Sequence, residues 1–383
     1  MSKKIIVDVR LLSRGGSSGI EEYTTNLIDS LLKVSSDEEY LLFYNGVNKV
    51  SLPACWLENK RVRIVSKKIP NKLLDLSSRL FKIPKVETLV GKADLVFSPH
   101  FNIIGTKLPH VVTFHDLSFL HHPDFFSTRH RVWHWLQGYR ETARRAAQCI
   151  AVSEFTKSDL QDFLGIPSEK ITVIYSGIHS SFRVLKKDSI DLLKFKETNK
   201  LNKPFILYLG TLEPRKNIPA LIRAFDLLKS NPSFKDFELV LAGRVGWLSK
   251  ELLREARMAR NVESIRFFGS PKSDERALLY NASEIFVYPS FFEGFGFQPL
   301  EAQACGVPVI SSNRTSLPEI LGESARLINP WSIEEIHESL VEIITNRNVR
   351  DKLVSAGLEN IKRFSWESTA KKTIKTYNQV VEI

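Results

Sequence analysis

The 383-residue sequence predicts an α/β protein built as two sandwiches of parallel sheet and helices, and two observations carry this prediction. Short apolar segments typical of buried strands alternate with helical patterns from one end of the chain to the other. This alternation stops once, in the polar and basic stretch 181–203, where the periodicity is weak. We therefore predict a first domain over residues 1–180, a linker over residues 181–203 and a second domain over residues 204–364.

In the first half, each strand is predicted from an apolar run of strand length. These strands cover residues 4–9, 40–44, 61–65, 95–98, 111–114, 149–152 and 171–174. A glycine- and serine-rich loop at residues 14–19 follows the first strand. Helices are predicted at residues 21–32, 128–147 and 155–164.

The second half repeats the same order of strand and helix. Its strands are predicted at residues 205–209, 238–242, 265–268, 285–288 and 307–311. From residue 334 onward the chain is predicted to be helical, with a break near residues 364–366.

Composition limits the class of protein. Hydrophobic residues make up 43% and charged residues 25% of the chain, as in ordinary folded domains. The first residues become charged too early for a secretory signal, and Cys55, Cys149 and Cys305 lack the spacing of metal ligands. We expect a reduced, cytoplasmic chain with no bound metal. Its net charge of +11 implies polyanionic neighbours such as phosphate-bearing substrates, acidic lipid or nucleic acid.

The strongest motif follows the first strand of the second domain. Its sequence is Gly-Thr-Leu-Glu-Pro-Arg-Lys-Asn, from Gly210 to Asn217, and it leads into a predicted helix at Ile218. Asn217 is expected to cap this helix. Backbone N–H groups, the helix dipole and the cations Arg215 and Lys216 would then converge on one point, which suits a diphosphate.

The second motif follows the strand at residues 285–288 and contains two glutamates eight positions apart. Glu293 lies in a glycine-rich loop and Glu301 in a short helix that Gly306 would end. Both carboxylates can face the edge of the sheet where ligands bind in open α/β folds. A carboxylate accepts hydrogen bonds from two vicinal hydroxyls at once, so the pair suits a sugar or a ribose.

Together these segments resemble the group 1 family of retaining GT-B glycosyltransferases. Glu293 and Glu301 match that family's Glu-x7-Glu motif, and the segment Glu-Pro-Arg-Lys-Asn is similar to its phosphate loop. The resemblance extends over nearly the whole chain. It includes residues 18–23, 112–117, 151–156 and 315–319.

The resemblance implies two Rossmann-like αβα domains facing an interdomain cleft, no catalytic metal and no cofactor. It also implies that the C-terminal helix, residues 367–383, completes the first domain. By the family pattern, Lys216 and Arg215 hold the donor diphosphate, Glu293 contacts the transferred sugar and Glu301 the ribose. The remaining residues assigned to the donor or catalytic site by this pattern are Gly19, His115, Thr211, Gly294, Phe295 and Gly296.

Two positions depart from the family pattern. Thr211 stands where many members carry an arginine, so Arg215 is expected to take more of the charge. The loop after Gly19 continues with Glu21 and Glu22 instead of glycine and arginine, which argues against direct phosphate binding there.

A membrane contact is suggested by residues 67–85. Apolar positions recur there at helical spacing with cations beside them, namely Leu73, Leu76, Leu80 and Ile83 with Lys72, Arg79 and Lys82. A basic amphipathic helix can lie in an anionic interface, although the same pattern also suits a helix packed on a core. A second basic and aromatic stretch covers residues 129–135. Peripheral contact with the inner face of a membrane is therefore a hypothesis.

The resemblance predicts transfer of a hexose from a nucleoside diphosphate sugar to a glycan or a lipid-linked glycan. The phosphate loop is most similar to mannosyltransferases of surface-polysaccharide assembly, which makes GDP-mannose the first expected donor. One alternative is a sugar-nucleotide 2-epimerase of the same fold, and another is a non-catalytic protein that binds polyanions. Nucleic acid is not an expected partner. Neither half contains the Gly-x-Gly-x-x-Gly pattern that a nicotinamide dehydrogenase needs.

Overall fold

The computed structural model describes residues 3–14, 19–35, 37–45, 52–247 and 250–382. The chain forms two compact units, one made of Met1–Gly177 with Ser365–Ile383 and the other of Ile178–Phe364. The glycine-rich loop predicted before the first helix lies, at residues 15–18, outside the described residues.

The first unit contains a parallel sheet. Its strands are β1 (Lys4–Asp8), β2 (Glu39–Phe43), β3 (Val62–Val65), β4 (Leu95–Ser98), β5 (His110–Phe114), β6 (Gln148–Ala151) and β7 (Ile171–Val173). Within the described residues they lie in the order β3-β2-β1-β4-β5-β6-β7. The direction of the order changes between β1 and β4, and this is the place where the crevice of an open α/β sheet forms.

Helices cover both faces of this sheet. They are α1 (Gly19–Val34), α2 (Ala54–Leu57), α3 (Asn71–Phe81), α4 (Val86–Val90), α5 (Ser118–His121), α6 (Thr128–Leu136), α7 (Tyr139–Arg145), α8 (Glu154–Leu164) and, from the end of the chain, α17 (Trp366–Val381). Alternate residues of β2 face opposite sides, so Leu41 and Phe43 pack with Leu74 of α3. On the other face α17 packs against α1. Gly177 lies so close to the start of α17 that a Cβ on Gly177 would be 2.1 Å from the Trp366 amide nitrogen.

The second unit repeats the architecture. Its parallel strands are β8 (Phe205–Leu209), β9 (Glu238–Ala242), β10 (Ile265–Gly269), β11 (Ile285–Tyr288), β12 (Val309–Ser312) and β13 (Arg326–Ile328). In the described part of the chain their order is β10-β9-β8-β11-β12-β13, which reverses between β8 and β11. β8 is buried along its whole length, as expected for a central strand with helices on both faces.

Eight α-helices are described in this unit. They are α9 (Ile190–Thr198), α10 (Ile218–Lys229), α11 (Lys250–Met258), α12 (Glu275–Ala282), α13 (Phe297–Ala304), α14 (Leu317–Leu321), α15 (Ile333–Thr345) and α16 (Arg347–Asn360). α13 ends as the sequence predicts, because Gly306 follows its last turn with a positive φ of 70°.

Three sequence predictions differ from the structure. Residues 181–203 belong to the second unit and contain α9, since Leu192 and Phe195 are buried against it rather than exposed as in a linker. The helix predicted at residues 128–147 is two helices, because Gly138 adopts a left-handed conformation with φ 57° between them. The strand β13 was not predicted; it is only three residues long and begins with an exposed arginine.

The apolar stripe of α3 faces away from the core. Leu74, Asp75 and Ser78 form its buried side. The opposite side and the residues that follow are 43% to 68% exposed, and this group consists of Leu73, Leu76, Leu80, Phe81 and Ile83. The interpretation of this stripe as a core-facing surface is therefore wrong. No helix among the described residues is long and apolar enough to cross a membrane.

Candidate functional site

The two motifs meet at the carboxyl ends of β8 and β11, the neighbouring strands between which the sheet order reverses. After β8, the chain makes a single helical turn, Pro214–Lys216, and α10 begins at Ile218. After β11, it forms the loop that contains Glu293 and then enters α13. Backbone contacts join the two loops, since the Phe291 N–H donates to the Arg215 carbonyl at 2.9 Å.

Asn217 does not cap α10 as predicted. It occupies the N-cap position in a left-handed conformation with φ 54°, and no side-chain capping hydrogen bond forms. Its Nδ2 instead donates to the Pro330 carbonyl at 2.6 Å. The residue therefore ties the phosphate-loop turn to the segment before α15.

Arg215, Lys216 and Glu293 form a buried cluster of charges. The Lys216 ammonium lies 2.6 Å from Glu293 Oε1, and Arg215 Nη1 lies 3.1 Å from Glu293 Oε2. On its other side, Arg215 Nη2 donates to Glu213 Oε1 at 2.9 Å. Two cations are thus balanced by two carboxylates, both of which are almost fully buried.

The electrostatics of the cluster keep Glu293 ionised. Burial by itself would raise the pKa of Glu293, but the charges of Arg215 and Lys216, with hydrogen bonds from Lys216 and Ser290, lower it to about 2. For Lys216, burial and the neighbouring Arg215 charge lower the pKa below its ordinary value, and the two carboxylates only partly oppose this.

Tyr288 positions Lys216 from the end of β11. The Lys216 ammonium donates to the Tyr288 hydroxyl at 2.6 Å and lies 4.9 Å from the centre of its ring. The same hydroxyl donates to Gln298 Oε1 at 3.0 Å. Because the hydroxyl of a strand residue accepts from the ammonium, the position of the charge is set by the rigid sheet.

The loop around Glu293 is held by its backbone. Thr315 Oγ1 accepts from the Glu293 N–H at 3.0 Å, and the Ser316 hydroxyl lies within hydrogen-bonding distance of the Glu293 and Phe295 carbonyls. Gly296 adopts φ 95°, and a Cβ there would lie 2.7 Å from Leu317 Cδ2. The predicted segment Gly294, Phe295 and Gly296 therefore forms a fixed turn into α13.

Glu301 has its own partners on a different helix. Its two carboxylate oxygens accept from Arg276 and from the Tyr280 hydroxyl, both on α12, the latter at 2.8 Å. The carboxylate is 3% exposed, and the ion pair that it forms is with Arg276. The structure thus brings Arg215 and Lys216 into direct contact with Glu293. Glu301, the fourth main predicted residue, lies on α13 and is bonded to residues of α12.

Two strand ends of the second unit approach each other closely beside Thr211. A Cβ on Gly243 would lie only 1.9 Å from the carbonyl oxygen of Gly210, and Gly243 has φ 131°. The Thr211 carbonyl accepts from the Tyr208 hydroxyl at 3.2 Å. Glycine is required here because the backbone itself forms the wall next to the phosphate-loop turn.

Gly19 and His115 belong to the first unit. Gly19 is the first residue of α1. His115 follows β5, its Nε2 lies 2.7 Å from the Pro99 carbonyl, and the ring of Tyr23 packs edge-on at 4.6 Å. Burial lowers the pKa of His115, and the Pro99 carbonyl and Asp116 oppose this only in part, so the imidazole is neutral at pH 7.

Several functional neighbours were missed by sequence reasoning. They are Glu213, Arg276, Tyr280, Tyr288 and Ser290. The positions of Glu213 inside the motif and of Tyr288 at a strand end were available signals, whereas Arg276 and Tyr280 are brought to Glu301 only by tertiary packing. No cluster of three metal-ligating side chains is present in the described ranges.

Comparisons with known proteins agree with this architecture. Residues 17–182 match the model of Glycosyltransferase Family 4, and residues 189–360 match that of Glycosyl transferases group 1. The O-antigen chain mannosyltransferase B of Escherichia coli is 29% identical over 94% of this chain and 96% of its own. The serotype-specific mannosyltransferase WbdA of the same species is 32% identical over a region that covers 62% of this chain and 29% of WbdA.

Solved structures share the fold at low identity. Sucrose-phosphate synthase from Thermosynechococcus elongatus has a TM-score of 0.77 at 17% identity, covering 99% of both chains. HepE from Anabaena, in complex with UDP and glucose, has a TM-score of 0.75 at 19% identity, covering 99% of this chain and 100% of its own. WaaG, a glycosyltransferase involved in lipopolysaccharide biosynthesis, has a TM-score of 0.71 at 15% identity over 97% and 98% of the two chains.

With both family models matched in order along the chain and the same fold in these structures, the protein belongs to the group 1 glycosyltransferases and is a glycosyltransferase with the GT-B fold.

Proposed function

We propose that the protein is a retaining hexosyltransferase that uses GDP-mannose and extends a glycan or a lipid-linked glycan. The observation that carries the proposal is the contact of Arg215 and Lys216 with Glu293 at the carboxyl ends of β8 and β11. The choice of mannose is supported by the names of relatives, among them the O-antigen chain mannosyltransferase B of Escherichia coli. HepE, whose structure holds UDP and glucose, supports a nucleoside diphosphate sugar as the class of donor.

The cations have a direct role in the proposed chemistry. Cleavage of the bond between sugar and diphosphate leaves negative charge on the departing phosphate oxygen. A buried Lys216 ammonium and the first turn of α10 stabilise that charge without reorganising, because both are already held in place. Arg215 contributes less freely, since its guanidinium is shared between Glu213 and Glu293.

Glu293 is proposed to have two roles. Its pKa of about 2 keeps it a carboxylate at neutral pH, so it can accept hydrogen bonds from sugar hydroxyls. It also balances the cations when no donor is bound. A diphosphate brings negative charge to a cluster that is already neutral, so its binding must weaken the contacts between Glu293 and the two cations.

The two remaining roles stay with the residues assigned from the family. Glu301, held by Arg276 and Tyr280, is proposed to contact the ribose. His115, which is neutral because burial lowers its pKa, is proposed to contact the sugar as an uncharged hydrogen-bonding group. No metal or cofactor is part of the proposal.

We further propose that the protein works in the cytoplasm at the inner face of a membrane. The exposed stripe of α3 supports this, because large apolar side chains there are surrounded by water instead of core. Lipid-linked acceptors reside in membranes, so a peripheral contact would bring the enzyme to them.

The donor is tested by a thermal-shift series with GDP, UDP, GDP-mannose and UDP-glucose. GDP-mannose is expected to raise the Tm most, since a ligand that binds only the folded state stabilises it. A larger rise with UDP-glucose would refute GDP-mannose, and no rise with any of the four would refute donor binding.

Transfer itself is tested by incubating the protein with GDP-mannose and extracted lipid-linked glycans, followed by NMR of the product's anomeric proton. An α-linked product supports retention, because the sugar of GDP-mannose is α-linked. A β-linked product refutes retention. Conversion of the donor to an epimer without acceptor would identify an epimerase, and salt-dependent binding that leaves the donor intact would identify a polyanion-binding protein.

A further inference from the structure

A small cavity of about 90 Å³ lies in the first unit, and none of the residues that line it is assigned to donor binding. It is bounded by the end of α3 with the residues that follow, by α7 and by the segment 103–108. The side chains that matter for its chemistry are Lys82, Lys85, Glu141, Thr142 and Arg145. Nothing in the proposed transfer reaction uses these residues.

The cavity has an excess of positive charge. The Glu141 carboxylate forms ion pairs with Arg79 and Lys82 at 3.3 Å each and with Arg145 at 3.0 Å. Three cations therefore share this carboxylate. Burial would raise the pKa of Glu141, but these cations lower it. A second carboxylate, Glu87, accepts from the hydroxyl of Thr106 in the cavity wall at 3.0 Å. With Lys85, four cations then face two carboxylates, and the cavity wall retains capacity for an anion.

Lys85 adds a fourth cation that has no acidic partner. Within the part of the chain that the structure describes, no carboxylate lies within ion-pair distance of its ammonium, although it lines the same cavity. An ammonium without a counterion attracts an anion more strongly than one already paired.

The wall beside Lys85 is built by close backbone contact. The Val86 N–H donates to the Gly105 carbonyl at 2.7 Å, and a Cβ on Gly105 would lie 2.9 Å from the carbonyl oxygen of Pro84. Such contact fixes the segment that carries Lys82 and Lys85 against segment 103–108. The cations are therefore placed by the fold, in contrast to those of a flexible surface loop.

The apolar residues next to the cavity indicate what kind of anion it takes. Leu80, Phe81 and Ile83 are exposed and lie within a few residues of Lys82 in sequence. Trp135 of α6 is also exposed, and the Arg79 guanidinium lies 5.4 Å from the centre of its ring. A soluble phosphate ester needs no such surroundings, whereas a lipid presents a phosphate and acyl chains side by side.

We propose that this cavity binds the phosphate of an anionic membrane lipid, while Leu80, Phe81 and Ile83 insert among its acyl chains. The inference rests on the proposed peripheral membrane contact and gives it a specific headgroup site. Lys85 and Arg145 are the cations assigned to the phosphate, and Glu141 holds the others in place.

The test compares binding to vesicles of phosphatidylcholine alone with binding to vesicles of phosphatidylcholine and phosphatidylglycerol in equal parts. Co-sedimentation is expected only with the anionic vesicles. Lys85→Gln should weaken it about five-fold, the effect of one cation close to a membrane surface. Leu80→Ser should weaken it as well, by removing apolar contact with the acyl chains.

Lys372→Gln is the matched control, because it removes the same charge from an exposed position on α17, on the other face of the sheet. Circular dichroism melts of all variants verify that they are folded. An equal loss for Lys85→Gln and Lys372→Gln would overturn the headgroup site, since it would show a diffuse effect of net charge. If Leu80→Ser binds the anionic vesicles as well as the wild type does, and inorganic phosphate displaces the vesicles from the protein, the ligand is a soluble phosphate and the lipid proposal is overturned.

The donor thermal shift is measured on the same wild-type preparation. A protein that binds GDP-mannose and ignores anionic vesicles refutes this inference and leaves the proposed transfer reaction intact. A protein that binds the vesicles through Lys85 but binds no donor supports this inference and refutes the proposed transfer reaction.

Discussion

Lys216→Ala is expected to abolish most turnover while the protein stays folded. The Lys216 ammonium is the cation most directly fixed at the carboxyl end of β11, with contacts to Tyr288 and Glu293 at 2.6 Å each. Removal of one preorganised charge-stabilising donor costs on the order of 10²–10³ in rate. We therefore expect kcat to fall by about that factor at saturating donor.

The loss of stability has opposing contributions. Hydrogen bonds to a charged group are worth about 1.5–3 kcal/mol each. Glu293 keeps its contacts with Arg215 and Ser290, however, and the desolvation that lowers the pKa of Lys216 is relieved when the ammonium is removed. The net loss should therefore be at most about 3 kcal/mol, less than the stability of an ordinary domain.

The assay pairs initial rates of donor consumption with urea unfolding. Lys203→Ala serves as the control, because Lys203 is exposed and its pair with Glu238 spans 3.5 Å at the surface. A Lys216→Ala protein with turnover within two-fold of the wild type would remove Lys216 from the reaction. If that variant fails to fold, the measurement is repeated with Lys216→Gln, which keeps most of the side-chain length and a neutral N–H donor.

Three further outcomes follow from the same site. Glu213→Gln should lower stability by about 1–3 kcal/mol in urea unfolding, because Arg215 loses its second carboxylate. Gly243→Ala should cost about 3 kcal/mol in the same assay, since the new Cβ collides with the Gly210 carbonyl at a positive φ. Acid titration should show stability that is fully present above pH 4.5 and lost as the pH falls towards 2, the folded pKa of Glu293. That contribution is about 3 kcal/mol, and Glu293→Gln should remove its pH dependence, as followed by circular dichroism.

Each of these has a result that would contradict it. Unchanged stability of Glu213→Gln would mean that Arg215 needs only Glu293. Gly269→Ala is the control for Gly243→Ala, because it has a positive φ of 79° and no atom within 4 Å of its new Cβ. Equal losses for these two variants would rule out the collision. Identical acid profiles for Glu293→Gln and the wild type would place the pKa of Glu293 near its ordinary value.

Most strands could be predicted from the sequence because their burial is a local property. Each strand of both parallel sheets is short, and an apolar run of that length has few other places to be buried. β13 was not predicted because Arg326 is exposed and only Ile328 of its three residues is fully buried. α9 was not predicted for a similar reason. Only Leu192 and Phe195 face the core, and the surrounding residues are polar enough to suggest a linker.

The candidate site was predictable in its membership but not in its internal bonding. A strand followed by a turn with two cations implies an anion site, and the sheet order then brings Glu293 to the same edge. That Glu213 would neutralise part of Arg215 depends on the single helical turn between them. That Asn217 would bond to Pro330 instead of capping α10 depends on a residue 113 positions away, which no local pattern contains.

The path of the chain through the two units has a consequence for biosynthesis. The second unit is one continuous segment, Ile178–Phe364, whereas the first is interrupted and receives Ser365–Ile383 only at the end. As the polypeptide leaves the ribosome, the later-encoded unit has all its strands while the earlier one still lacks the helix that covers α1. Nonsense or frameshift mutations in the codons for Ser365–Ile383 would therefore damage the unit that is translated first.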